Sequence, residues 1–150
     1  MIQLKKLFDI QLEQKQDIEM PATCRGDLLI SPTTGGSFCG DKLNGKVMPV
    51  GMGLTYTPAP CQNEVKAEML LEMEDGDKAM LCINAVLDID SEEEEKLIRG
   101  EKVDPERYYY KGTANFITGA TKYKWLERKI CVCNGCVDDW TKVSFSIYMI

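Results

Sequence analysis

The amino-acid sequence predicts a mainly β protein, a closed antiparallel β-barrel of about eight or more strands with one short helix near residues 91–99. Three observations predict it. Apolar and polar residues alternate with a period of two in several short runs. Gly, Pro, Asn-Gly and Asp-Gly punctuate those runs. One run is apolar on both faces, which suits a barrel or sandwich strand whose second face is also covered.

Strand candidates open at residues 2–12, 25–30, 46–50 and 53–57. Between them, Thr34-Gly-Gly-Ser-Phe-Cys-Gly40 is rich in glycine. No amphipathic helix follows it, so it reads as a turn or bulge at a barrel corner and not as a phosphate-binding loop. The cleanest alternation is Val65, Ala67, Met69, Leu71 and Met73 against Lys66, Glu68, Leu70, Glu72 and Glu74. It ends at Glu74-Asp-Gly-Asp77, a hairpin signal. The returning run, residues 79–87, is the one apolar on both faces: Leu81, Ile83, Ala85 and Leu87 on one, Met80, Cys82, Asn84 and Val86 on the other. A helix is expected next, with Ser91 as its cap, Glu92 to Glu95 at its positive end, Lys96 and Arg99 in its last turn and Gly100 closing it. Asp104-Pro105 stops any continuation. The remaining strands fall at 108–116, 125–133 and 142–149, the last alternating Val143, Phe145, Ile147 and Met149 with Ser144, Ser146 and Tyr148.

A chain of 150 residues fits one domain, residues 1–150. It has no apolar run long enough for a membrane helix. Met1-Ile-Gln-Leu-Lys-Lys6 lacks the apolar stretch of a secretory leader. The expectation is a cytoplasmic protein whose seven cysteines are free thiols. The net charge is −6, and residues 88–106, with nine acidic and three basic side chains, account for all of it. No basic stripe is present, so neither nucleic acid nor an anionic membrane is an expected partner. The chain contains no histidine, which removes Ser-His and Cys-His catalysis and histidine-ligated metal.

Cys131-Val-Cys-Asn-Gly-Cys136 admits two readings. If Asn134-Gly135 is a two-residue turn, Cys133 and Cys136 face each other across it and form a labile disulfide or half a thiolate metal site. A zinc site needs a fourth ligand, and Cys24, Cys39, Cys61 and Cys82 stand at no recognisable spacing, so packing thiols are the plainer reading and no metal or cofactor is expected. The run of four glutamates is read as a solvated first helical turn. Along residues 108–116, alternation sends Tyr109, Lys111, Thr113 and Asn115 to one face and Tyr108, Tyr110, Ala114 and Phe116 to the other. A face of phenol, ammonium and amide either lines a wet cavity or forms the outer wall of the barrel.

Several motifs occur in a fixed order: Pro32-Thr-Thr-Gly-Gly-Ser-Phe-Cys-Gly40, Leu43-Asn-Gly-Lys-Val-Met-Pro49, Val103-Asp-Pro105 with Tyr108-Tyr109, and Phe116-Ile-Thr-Gly119 with Tyr123-Lys-Trp-Leu126. Together they resemble the uncharacterised bacterial family called domain of unknown function 3237, over nearly the whole chain. The resemblance implies a compact antiparallel barrel of calycin-like appearance, often self-associating, without an established activity. The chain departs from the family pattern at several polar positions. Cys39 replaces a glutamate, Met48-Pro-Val-Gly-Met-Gly-Leu54 lacks an aspartate and a tryptophan, and Lys111, Asn115 and Ile117 stand where arginines and Phe-Glu-Thr are usual. Asn84, Tyr109, Tyr123 and Trp125 still match as pocket residues, with Arg128 in support.

Three functional readings follow. In the first, a small apolar or aromatic ligand sits in the barrel mouth, held by Asn84, Tyr109, Lys111, Asn115, Tyr123 and Trp125. In the second, a histidine-free, metal-free isomerase, cyclase or lyase uses a buried tyrosine as acid or a desolvated Lys111 as base. In the third, the barrel is a structural homo-oligomer without a ligand, with residues 79–87 covered by a partner subunit.

Overall fold

The computed structural model describes residues 1–15, 18–139 and 141–150. Among them nine strands form one antiparallel sheet: β1 (Lys5–Gln14), β2 (Ile18–Thr23), β3 (Gly26–Cys39), β4 (Asn44–Ala59), β5 (Gln62–Met73), β6 (Lys78–Asp88), β7 (Tyr109–Ile117), β8 (Cys131–Asp139) and β9 (Lys142–Met149). The order is β1-β9-β8-β7-β6-β5-β4-β3-β2, and β1 also pairs with β3. That pairing closes eight strands into a barrel and leaves β2 as an extra strand on the flank.

Closure depends on the length of β3. Its first half pairs with β2, as at Ile18–Ile30, and its second half with β1, as at Ile10–Phe38. The register shifts between Pro32 and Ser37, where the glycine-rich segment lies. At Gly36 φ is +142°, and a Cβ there would collide with the carbonyl oxygen of Gln11 on β1. The segment is therefore the expected bulge at a barrel corner, and glycine is what lets β1 approach.

Period two sorts inside from outside. Val65, Ala67, Met69, Leu71 and Met73 of β5 and Leu81, Ile83 and Ala85 of β6 are buried, as are Ala114 and Phe116 of β7 and Phe145 and Ile147 of β9. Phe8 packs on Phe38 and Phe116, with ring centroids 5.3 and 6.0 Å away. The outward positions are mostly polar, for example Lys66, Glu68, Lys111, Thr113 and Asn115, the reverse of the apolar outer band of a transmembrane barrel. Among the described residues no helix is long and apolar enough to cross a membrane.

Several elements differ from the sequence reading. β2 carries Pro21 and lacks a period-two pattern; it is largely exposed, and a flanking strand tolerates proline. Segments 46–50 and 53–57 are one strand, β4, with a register shift between Val47 and Gly51. Residues 125–133 do not form one strand: Thr121–Arg128 is a 3₁₀ segment, and β8 starts at Cys131. The cause is tertiary, because Leu126 (1% exposed) and Tyr123 plug one end of the barrel. The outer face of β6 is open in the single chain, with Asn84 and Val86 exposed.

The helix, α1 (Ser91–Ile98), lies where expected, but Asp90 occupies its cap position and makes no side-chain cap bond. The Ser91 hydroxyl meets Cys61 Sγ instead, at 3.4 Å. At its other end, Gly100 N–H bonds to Leu97 O and Glu101 N–H to Lys96 O, a Schellman closure. Glu93 is buried beneath the helix, with Lys96 at 3.3 Å and Arg107 at 3.5 Å. Arg107 belongs to the 3₁₀ turn Pro105–Arg107, so this carboxylate ties α1 to that turn.

Candidate functional site

The barrel has two different ends. Lys5 of β1 and Met149 of β9 pair at one, Glu13 and Lys142 at the other. The first end is closed by the Thr121–Arg128 segment. The Tyr123 hydroxyl donates to Asp75 at 2.8 Å and Lys122 Nζ lies 2.9 Å from the same carboxylate, pinning the segment to the β5–β6 turn. The Lys122 ammonium, with help from the backbone N–H of Asp77 and from Tyr123, lowers the Asp75 carboxyl to about 2.

The second end is hollow. A cavity of about 140 Å³ lies there inside the barrel, with Ile89 and with Glu94 and Leu97 of α1 along its edge. Leu29, Leu87, Val137 and Val143 form apolar walls, and Ser31, Thr55, Thr57 and Asn63 form a polar one. Asn63 is preset: its Oδ1 accepts from Thr57 at 2.6 Å and its Nδ2 donates to Leu87 O at 3.0 Å. Asp139, also at the cavity, accepts from the hydroxyl and N–H of Thr141, which keeps its carboxyl below the usual range.

Tyr110 stands at the inner end of this cavity and is only 5% exposed. Its ring lies over Gly135 of β8 and edge-on to Phe145, with centroids 5.3 Å apart. Its hydroxyl makes no hydrogen bond among the described residues, and neither does that of Thr55. No fully buried side-chain polar atom among those residues lacks a partner. The Tyr110 hydroxyl is therefore not sealed in the core; what access it keeps is through the cavity. Burial pushes its pKa well above the usual tyrosine value, so it remains a donor at neutral pH.

The residues singled out in the sequence lie elsewhere. Asn84 on β6 and Tyr109, Lys111 and Asn115 on β7 point outward and are exposed. The stripe is thus the outer face, because the apolar members of β7, Tyr110, Ala114 and Phe116, take the inner one. Lys111 Nζ donates to Asn134 at 2.6 Å, and with Tyr109 it flanks an open outer groove beside Val132 and Tyr148. Tyr123 is part of the plug, and Arg128 is exposed in the same segment. Trp125, 38% exposed, lines a pocket at the closed end. Tyr110, Thr55, Thr57 and Asn63 were missed. Tyr110 shared a face with Ala114 and Phe116, and that parity was the available signal; the threonines carried none.

The cysteine cluster is also resolved. Asn134-Gly135 lies in mid-strand, so Cys133 points inward and Cys136 outward. All seven cysteines are free. Burial raises the Cys133 thiol to about 11, which suits a packing role. Cys136 takes a hydrogen bond from the Tyr108 hydroxyl at 3.7 Å and lies 3.4 Å from Asp138, which also accepts from Ser144. Among the described residues no group of three acidic or cysteine side chains is placed to hold a metal, and the glutamate run of α1 is no exception.

Fold and site define a class: an eight-stranded antiparallel barrel with one extra strand, plugged at one end and hollow at the other. Within that class, the chain belongs to the family described as "Protein of unknown function (DUF3237)", whose model matches residues 2–150. A UPF0311 protein of Clostridium acetobutylicum is 31% identical over 102 residues, 68% of this chain and 65% of that protein, so the match spans just under two thirds of the relative. The crystal structure of a conserved protein of unknown function from Rhodopseudomonas palustris superposes with a TM-score of 0.92 at 24% identity, covering 99% of this chain and 97% of the other. An enzyme from Penicillium herquei shares the fold at a TM-score of 0.66 and 17% identity, covering 97% and 93% of the two chains.

Proposed function

We propose that this protein binds a small molecule in the hollow end of the barrel, and that the ligand offers a single ring to Tyr110. One observation carries the reading: the hydroxyl of Tyr110, a residue only 5% exposed, has no hydrogen-bond partner among the described residues and faces the cavity at the hollow end. A cavity of about 150 Å³ accommodates benzene, and this one is about 140 Å³. The charged groups along it are Glu94 and Asp139, both acidic. The ligand is therefore neutral or cationic where it enters, and the ring carries an acceptor for the Tyr110 hydroxyl.

Titration with phenol, and with benzoate as the charged control, tests this. Phenol should shift the methyl NMR signals of Leu29, Leu87, Val137 and Val143 saturably, and benzoate should not. Tyr110→Phe should weaken phenol by about threefold to tenfold, the value of one hydrogen bond. Failure of phenol to move those methyls, or identical titrations of Tyr110→Phe and the parent, would overturn the reading.

A catalytic use of the same site rests on Tyr110 as a proton donor, and the Penicillium enzyme, at 17% identity, adds a likeness of fold alone. Lys111, the base expected from sequence, is exposed on the outer side of the barrel wall and donates to Asn134, away from this cavity. Binding is the better-supported reading.

A further inference from the structure

The closed end holds a second pocket, of about 290 Å³, separate from the hollow end. Leu7 and Leu43, 7% and 2% exposed, form its floor. Met149 and the indole of Trp125 line it as well. Its remaining lining groups are three lysines, Lys5, Lys6 and Lys42, and one carboxylate, Asp41. Lys6 is engaged with Asp9 at 2.7 Å. Lys5 and Lys42 form no ion pair among the described residues.

This local excess of cations stands out in a chain of net charge −6. The acidic residues responsible for that charge, 88–106, include α1 at the opposite end of the barrel. The lining of this pocket is thus locally cationic, whereas the acidic helix lies at the other end of the barrel. An apolar pocket rimmed by uncommitted ammonium groups complements a molecule with an apolar body and an anionic head. Tryptophan and methionine suit the body, the one as a broad flat surface and the other as an adaptable one.

We propose that this pocket is a second binding site, specific for a small amphipathic carboxylate. The apolar body lies on Trp125, Leu43 and Met149, and the carboxylate sits between Lys5 and Lys42.

The test uses octanoate, with octanol as its neutral match. Trp125 emission is followed in a Trp140→Phe background, since the chain has two tryptophans. Octanoate should shift the emission to the blue and saturate, and octanol should bind about tenfold more weakly. Replacing both exposed lysines, Lys5→Gln with Lys42→Gln, should weaken octanoate by about fivefold to tenfold and leave octanol unchanged. Raising the salt from about 0.05 to about 0.5 M should weaken octanoate alone. Tyr110→Phe should change none of these values. Equal binding of octanoate and octanol would overturn the inference, as would octanoate binding that survives the double lysine substitution. Loss of octanoate binding in Tyr110→Phe would move the ligand to the hollow end and overturn it too.

Discussion

Tyr110 is held in place by what β8 lacks. A methyl group on Gly135 would come within 2.5 Å of the Tyr110 ring. Gly135→Ala should therefore push the ring off its seat against Phe145 and destabilise the protein by about 1–3 kcal/mol, as overpacking does. Urea unfolding measures this directly. In a Tyr110→Leu background the same substitution should cost less, because the smaller side chain yields; equal costs would show that ring and glycine are not coupled. Asp75 supplies a second prediction. Its carboxyl is held at about 2 in the folded protein, against an ordinary 3.8. A carboxyl depressed by folding contributes stability above its unfolded pKa and loses it as pH falls through the folded one. The stability difference between the parent and Asp75→Asn should thus be constant above about pH 5 and shrink as the pH falls toward about 2. A difference that stays flat across that window would remove Asp75 as an electrostatic pin of the plug.

At the scale of the element, β3 decides the architecture. A strand that changes partner from β2 to β1 must bend, and the bend falls where φ is positive and β1 comes close. Gly36→Ala should cost about 1–3 kcal/mol through strain and collision with Gln11. Gly119→Ala, where an added methyl meets nothing within 4 Å, should stay within about 0.5 kcal/mol. Hydrogen exchange should locate the Gly36 damage in β1 and the second half of β3. Uniform loss of protection around the barrel would mean that the seam is not where the strain sits. The helix presents the opposite case. Its glutamates and Gly100 define it locally, yet its position over the cavity comes from Glu93, Lys96 and Arg107, which meet only in the folded chain.

At the scale of the molecule, closure through β1 and β3 joins residues near positions 9 and 39 and, through β9, residue 146. No strand of the ring has a free edge, and the core runs through all eight. The barrel should unfold as one cooperative unit: far-UV circular dichroism and tryptophan fluorescence in urea, with thiols kept reduced, should give superimposable transitions. Two separated transitions would mean that the plugged and hollow ends come apart independently. The acidic first turn of α1 acts on the same scale, repelling anions from the hollow end.

Fold class was legible because period two is a local property: β5 through Met73 and β9 through Met149 declare their buried faces residue by residue. The hairpin at Asp75-Gly76, the corner at Gly35-Gly36 and the helix from Ser91 are equally local, since each depends on turn chemistry or end charges within a few residues. The segment 125–133 was misread because Leu126 is apolar in either conformation, and only the open end of the barrel determines that it becomes a plug. The polar stripe of Tyr109, Lys111 and Asn115 was separated from Tyr110 and Phe116 correctly, but alternation assigns two faces without saying which is inside. That choice belongs to the closed ring, which buries the face richer in apolar area and leaves the ammonium of Lys111 in water. The cavity beneath α1 arises the same way. It is the volume left where eight strands, each readable alone, fail to fill the space they enclose, and no single strand carries a record of it.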